Sequence, residues 1–281
     1  MKVVPLRVIS KNIRYATKKP LKGEELWSIR KDYLVNELRF NSLHNESALV
    51  CCQEVLHKQL QDILYGLRQV GSWDSIGWGR NDGKEAGEYS PIFFRPTVWE
   101  MIESEPIWLS PTPDIPSIDP GAGSIRILTR AKLKHRSTEF IIVVYCTHLD
   151  NASSDARRRA AEQICSIAKK DLELPIVMAG DFNSEEHQEA YQTIIRSGMF
   201  HDVGSSDSGY KYGNSHTFTS FGSTDKPPTR IDYIFYSNPV ISEQNLHFTI
   251  QNYAVLSNQF EDGVFNSDHR AVVADILLCS G

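Results

Sequence analysis

No apolar run in this 281-residue chain approaches the ~20 residues that a membrane-spanning helix needs, which excludes a helical transmembrane anchor. Positive charge is also in deficit. Thirty Lys and Arg face 35 Asp and Glu, a formal −5, so no global field draws in a polyanion. A nucleic-acid substrate is weakened by that balance, although a bound metal or a local patch can supply the missing charge. Residues 1–10 carry one early Lys but lack the ~7–15-residue apolar stretch and the small-residue cleavage site of a secretory signal. The five cysteines are an odd number with no Cys-x-x-Cys spacing, which argues against a disulfide framework, a zinc ribbon or a redox motif. Cys51, Cys52 and Cys146 fall within apolar, strand-like runs and read as buried thiols. Two glycosylation-type triplets occur, at Asn45 and Asn151, and a glycan on the second would sit three residues from His148, a candidate site residue. A cytosolic or nuclear location is the expectation, and no feature calls for an obligate protein partner.

What is present is ordinary globular material: 41% hydrophobic, 10% aromatic and 23% charged residues. Repeats, low-complexity tracts and linkers long enough to divide the chain are lacking, so residues 1–281 are expected to form one domain. Short apolar runs predict strands at Leu6–Ile13, Ala48–Gln53, Ile92–Arg95, Ile125–Leu133, Phe140–His148, Pro175–Gly180, Ile231–Tyr236 and Ala271–Leu278. Amphipathic spacing predicts helices at Glu24–Phe40, Lys58–Gln69, Asp155–Lys169 and Glu185–Ser197, with Ser153 or Ser154 as N-cap of the third. The stretches Asn81–Pro91, Ser110–Ser124 and Gly204–Thr229 read as loops. Many strands and few helices imply an α/β fold, a four-layer α/β/β/α sandwich of two mostly antiparallel sheets flanked by helices.

The informative feature is how the apolar runs end. Residues 48–52 run into Gln53-Glu54, residues 141–146 into Thr147-His148, and residues 176–179 into Gly180-Asp181-Phe182-Asn183. Two further runs carry the polar group near their start: Asp232 after Arg230-Ile231, and Asp268-His269 just before Ala271. Strand ends converge at one rim of a sheet, and acids gathered there are costly unless a cation or metal compensates them. Oxygen-only ligands such as Glu54 and Asp268 select a hard cation, Mg²⁺ with Mn²⁺ as substitute, that bridges to a phosphate ester. Asp181 and Asn183 would orient or deprotonate attacking water. Asp232 and His269 suit a carboxylate–imidazole pair, with His148 as a second donor to phosphate. Tyr89 and Asn12 can donate to phosphate oxygens or to the metal-binding acid, Arg126 can clamp phosphate, and Arg157 could touch it from the mouth of the cleft. A loop position for Thr217, and core or rim packing for the five Trp residues, are the plain alternatives.

The segments Asn12-Ile13-Arg14, Gln53-Glu54-Val55, Thr147-His148-Leu149, Gly180-Asp181-Phe182-Asn183, Thr217-Phe218, Arg230-Ile231-Asp232-Tyr233 and Ser267-Asp268-His269 resemble the endonuclease/exonuclease/phosphatase superfamily, in its order and over nearly the whole chain. Arg14, where abasic endonucleases carry an acid, makes the chain resemble a deoxyribonuclease I-like branch, and Gly87–Arg95 resembles a poorly characterised microbial one. The resemblance implies a Mg²⁺-dependent phosphoesterase with Asn12, Glu54 and Asp268 at the metal. It further implies His148, Asp181, Asn183, Asp232 and His269 as catalytic residues, and Tyr89 and Thr217 among the substrate contacts. A phosphodiesterase or nuclease acting on a phosphate ester is the leading expectation. A phosphatase for a small or lipid-headgroup ester and a non-catalytic binding protein on the same fold are the alternatives.

Overall fold

The computed structural model describes residues 2–207, 209–239 and 245–281. In chain order the elements are β1 (Val3–Asn12), α1 (Trp27–Ser42), β2 (Leu49–Gln53), α2 (His57–Arg68), β3 (Asp74–Ile76), β4 (Ile92–Phe94), β5 (Trp99–Trp108), β6 (Ile127–His135) and β7 (Ile141–His148). There follow α3 (Ser154–Ala168), β8 (Ile176–Asp181), α4 (Glu189–Arg196), β9 (His201–Asp202), β10 (Tyr210–Gly213), β11 (Asp232–Ser237), β12 (Leu246–Val255) and β13 (Val272–Ser280). One sheet has the order β10-β12-β13-β1-β2-β4-β3 and the other β5-β6-β7-β8-β11-β9. Both are mixed: β1–β2, β10–β12 and β7–β8 pair in parallel, and the other pairings are antiparallel.

Alternation along the strands builds the layers. In β1, Leu6 and Val8 join β7 and β8 residues Val144 and Val177 between the sheets, while Ile9 faces Leu34, Leu38, Ile63 and Leu67 of the helices on the outer side. On the second sheet, Tyr145 and Met178 turn outward onto Ala161 and Ile164 of α3 and Ile194 of α4. Each fully buried aliphatic side chain of this kind stabilises the fold by about 1.5–3 kcal/mol. Ser153 caps α3, its hydroxyl accepting from the Ala156 N–H at 3.1 Å. All five cysteines are free and buried. Among the described residues no helix is long and apolar enough to cross a membrane.

The differences from the sequence-based expectations have local causes. The first helix begins at Trp27 rather than Glu24, because the Glu24 carboxylate is drawn into the preceding loop by Arg14 and the Leu21 N–H. Strand β5 was missed because it is an edge strand with Glu100, Glu103 and Glu105 interrupting its apolar pattern. Strand β12 has no continuous apolar run; its apolar and polar residues alternate, as in a half-buried strand, and it lies outside the expected strands. The expected loop Gly204–Thr229 contains β10 and two short 3₁₀ turns.

Register then brings the site together. Asn12 pairs with Gln53, and His148 with Asp181, at the ends of the two central parallel pairs. Asp232 opens β11 opposite Asp181. Gly180 lets β8 approach β7 closely: a Cβ there would lie 2.3 Å from the Thr147 carbonyl oxygen. Two buried cations fix the segment that carries Asp268 and His269. Lys11 donates to the Asn266 side chain and to the His269 carbonyl, both at 2.9 Å. Arg30 donates to the carbonyls of Ile13 and Asn266 at 2.8 and 3.0 Å.

Candidate active site

The rim formed by these strand ends opens into a cleft of about 520 Å³, lined by Glu54, Asp268, His269, Asp181, Asn183 and His148, with Arg14, Arg80, Arg126 and Lys226 around them. A larger groove of about 820 Å³ lies beside α1, but its acids Glu37 and Asp275 are paired with Lys11 and Arg7, so size alone does not mark the site. Three non-glycine residues just beyond strand ends adopt left-handed backbone: Arg14 (φ 58°), Glu54 (φ 59°) and Asn183 (φ 47°). Such conformations store strain and cluster where side chains must be aimed at a ligand.

Asp181 is the hub. Its Oδ1 accepts from the Asn183 N–H at 2.9 Å, and its Oδ2 accepts from the Asn12 side-chain amide at 2.9 Å. Nε2 of His269 lies 3.6 Å from the same Oδ2, and Nδ1 of His269 is 2.8 Å from Asp232 Oδ2. Burial, reinforced by the Asp232 charge, pushes the Asp181 carboxyl up to about 7. Burial opposes the charge on His269, but Asp232 and then Asp181 outweigh it and push the imidazole up to about 10. His269 is therefore a cation held between two carboxylates, and Asp181 is a carboxyl poised for proton transfer near neutral pH.

His148 has the opposite character. Desolvation, together with the positive charges of Arg126, Arg80 and His269, holds it well below the ordinary histidine value, so it is neutral. The Asn183 side-chain nitrogen donates to the Leu149 carbonyl at 3.0 Å, which fixes the amide's orientation, and it also lies 3.0 Å from His148 Nε2. Nε2 must then accept, which places the imidazole proton on Nδ1, a buried atom without a hydrogen-bond partner. Arg126 contributes a second such donor. Its Nη2 bonds Asn151 at 3.0 Å and its Nε lies 3.5 Å from Asp150, yet its Nη1 is buried and unpartnered.

Glu54 and Asp268 offer the oxygen donors expected for a hard cation. They lie close enough that Glu54 adds to burial in raising the Asp268 carboxyl. Two mutually repelling carboxylates at a cleft floor fit a divalent ion between them. The three acid and imidazole atoms that crowd most tightly, within 4.8 Å, belong instead to Asp181, Asp232 and His269. In that group the short Asp232–His269 hydrogen bond already accounts for the approach without an ion.

Four expectations need correction in place. Asn12, expected at the metal, turns its amide nitrogen to Glu54 (3.0 Å) and Asp181, and its carbonyl accepts from the Arg14 N–H at 2.9 Å, so in this structure it bridges the two carboxylates. Tyr89 is buried and its hydroxyl donates to the Lys84 carbonyl at 2.8 Å, outside the cleft lining. Arg157 is drawn to Glu189 at 2.6 Å on the neighbouring helix, away from the cleft. Thr217 is fully buried, and its hydroxyl accepts from the N–H groups of Ile231 and Asp232 at 3.0 and 3.1 Å, holding the start of β11. Sequence reasoning missed Arg80 and Glu88, both in the cleft wall. Their pairing across an eight-residue separation in an irregular loop gives no periodic signal.

With this geometry in place, the comparisons with known proteins are decisive about class. The model of the Endonuclease/Exonuclease/phosphatase family matches residues 12–252, and the chain belongs to that family, whose members hydrolyse phosphoester bonds. It is 31% identical to an endonuclease/exonuclease/phosphatase from Bacteroides vulgatus, with a TM-score of 0.84, covering 98% of this chain and 99% of that one. It is 28% identical to a mannosyl-6-phosphatase from Bacteroides thetaiotaomicron, also at a TM-score of 0.84, with 96% and 99% coverage. The 3'-5'-exoribonuclease subunit Ccr4 of the CCR4-Not complex from Candida albicans is 23% identical over 95% of this chain. The chain spans 40% of that relative's length and 58% of the length of rat Nocturnin, to which it is also 23% identical.

Proposed function

We propose that the chain is a divalent-cation-dependent phosphatase for a small phosphate ester, acting as one catalytic unit. The observation that carries the substrate class is the charge pairing of the cleft. Arg80 is forked onto Glu88 at 2.8 and 2.9 Å, Arg14 bonds Glu24 at 3.2 Å, and Arg126 lies 3.5 Å from Asp150. Each arginine is already answered by a carboxylate and Lys226 stands singly, so among the described residues the wall offers no row of free cations to follow a nucleic-acid backbone. One phosphoryl group, by contrast, is accommodated by the unpartnered donors of Arg126 and His148 and by the cationic His269. The similarity to a mannosyl-6-phosphatase supports the same class.

Glu54 and Asp268 would hold Mg²⁺ or Mn²⁺, which supplies Lewis-acid polarisation of the phosphoryl oxygen and stabilises the leaving oxygen. Asp181 orients water and accepts its proton, and Asn183 and Asn12 fix the direction of that carboxylate. His269, kept protonated by Asp232, donates to the charge that builds on the phosphoryl oxygens. Thr217 keeps Asp232 in place. The phosphodiesterase reading keeps the same chemistry and is favoured by the exoribonuclease relative.

The test measures phosphate release from p-nitrophenyl phosphate and small phosphomonoesters, and cleavage of bis(p-nitrophenyl) phosphate and RNA, with Mg²⁺, Mn²⁺ or EDTA. Monoester turnover that needs metal and vanishes in Asp181→Ala is expected. Cleavage confined to diesters, steeply weakened by salt, would establish the nuclease reading instead.

A further inference from the structure

The phosphatase reading leaves the leaving group unspecified, and one wall of the cleft has no role in it. The loop 79–89 between β3 and β4 presents the Arg80–Glu88 fork with both side chains largely buried. The loop is rigidly built. The Arg80 N–H donates to the Glu88 carbonyl at 3.1 Å, Asp82 accepts from the N–H groups of Lys84 and Ala86 at 2.8 and 3.0 Å, and the buried Trp108 indole donates to the Arg80 carbonyl at 2.8 Å. Gly87, at φ +85°, packs against the Asn81 side chain, where a Cβ would come within 2.6 Å. A bridge between Val55 and Tyr89 fastens the loop beside Glu54.

The fork lies against the phosphate-binding end of the cleft. Glu88 Oε2 is 3.9 Å from His148 Nδ1, and Arg126 lines the same cleft as Arg80, Glu88 and His148. A carboxylate has about four lone-pair directions, of which the fork uses two, so Glu88 retains acceptor capacity beside Arg126 Nη1, which carries two N–H donors and keeps one when the other serves the phosphoryl group. Acceptors next to donors suit neighbouring hydroxyls, each of which both gives and takes a hydrogen bond. Of the aromatic rings on the lining, Tyr15 carries the Arg14 guanidinium over one face at 4.2 Å, and Phe218 is tilted 55° to the His269 ring at 4.9 Å.

We infer that the Arg80–Glu88 fork, with Arg126 beside it, is the specificity element that reads vicinal hydroxyls on the leaving group, so that the substrates are phosphomonoesters of a sugar or other polyol. This rests on the phosphatase reading.

The experiment uses the full chain with Mg²⁺ on a panel of hexose 6-phosphates, deoxy analogues of the best of them, adenosine 5'-monophosphate and p-nitrophenyl phosphate. Removal of a hydroxyl read by the fork is expected to lower kcat/KM at least tenfold, since a site built to bond a hydroxyl is left unsatisfied without it. Glu88→Gln is expected to lower the ratio of kcat/KM for the sugar phosphate over p-nitrophenyl phosphate at least tenfold, chiefly through KM. Arg80→Lys, which keeps the charge and loses the fork, should shift that ratio the same way. Thermal melts confirm that both variants fold, and the deoxy series needs no variant at all. Equal turnover of every deoxy analogue, an unchanged ratio in folded Glu88→Gln, or a nucleotide preferred over every sugar phosphate overturns the inference while p-nitrophenyl phosphate turnover keeps the phosphatase reading standing. No phosphate from any monoester, the aryl ester included, removes both.

Discussion

Replacing Asp232 with Asn separates the roles of charge and shape in the candidate site. The substitution keeps the side-chain outline and an acceptor for His269 Nδ1, now 2.8 Å from a carboxylate oxygen, but it removes one of the two negative charges that keep the imidazole protonated. Hydrogen bonds to charged groups contribute about 1.5–3 kcal/mol, and losing the charge of a buried partner costs up to about 3–5 kcal/mol. Taking about 3 kcal/mol as the loss of transition-state stabilisation, with 1.36 kcal/mol per factor of ten, kcat/KM should fall about 10²-fold. Stability should fall as well, because the buried His269 cation loses its nearest counter-charge, with part of that loss offset at Asp181. Asp232 also raises the Asp181 carboxyl by charge repulsion, and Asn relieves that repulsion. The assay is p-nitrophenyl phosphate hydrolysis with saturating Mg²⁺, alongside a thermal melt of each protein. A folded Asp232→Asn protein that keeps more than a third of wild-type kcat/KM would falsify the assignment of His269 as a cationic donor. A loss of activity that appears only together with a collapsed melting transition would show that Asp232 is structural.

Three further outcomes rest on the same packing and charges. Asp181→Asn should abolish turnover and raise the melting temperature at pH 8, because it removes a buried carboxyl held up to about 7; a lower Tm in a folded variant would contradict the repulsion argument. His135, packed edge-on against Trp99 at 5.0 Å between ring centroids, is held by burial below the usual histidine value. The unfolded chain therefore binds the proton more readily, and stability should fall as pH drops from about 6.5 through the lower folded value. His135→Gln should flatten that part of a Tm–pH series, and an identical slope would count against this origin. Leu38→Ala, fully buried between α1 and the first sheet, should cost about 2–5 kcal/mol in urea unfolding, and a loss under 1 kcal/mol would mean that the helix is not packed as described.

Much of the architecture was legible because burial leaves a periodic trace. The apolar runs that became β2, β7, β8 and β11 were found within one or two residues of their observed limits, since nearly every residue in them is buried, and β1 and β13 were found from their buried stretches. The edge strand β5 was not, because charges on its open side break the apolar run, and β12, half-exposed with polar residues between its apolar ones, has no continuous buried run. Among the site residues, those at strand ends (Glu54, His148, Asp181, Asp232) could be named in advance, because a run of buried residues that stops at an acid or an imidazole is chemically conspicuous. Arg157 and Tyr89 had the right chemistry and the wrong surroundings: Glu189 and the Lys84 carbonyl claim their polar atoms.

The amino-acid order determined which groups were available and at which ends of which strands they would stand, because alternation and run length are properties of the chain alone. Only the folded structure decided the partners. The pairing of His148 with Asp181 and of Asp232 with Asp181 is a matter of sheet register. The proton position on His148 depends on an amide locked by the Leu149 carbonyl. The Arg80–Glu88 fork depends on how one irregular loop closes on itself. Hydrogen bonds and charge interactions act over a few ångströms of space, and distance in space between residues so far apart in the chain is set by packing.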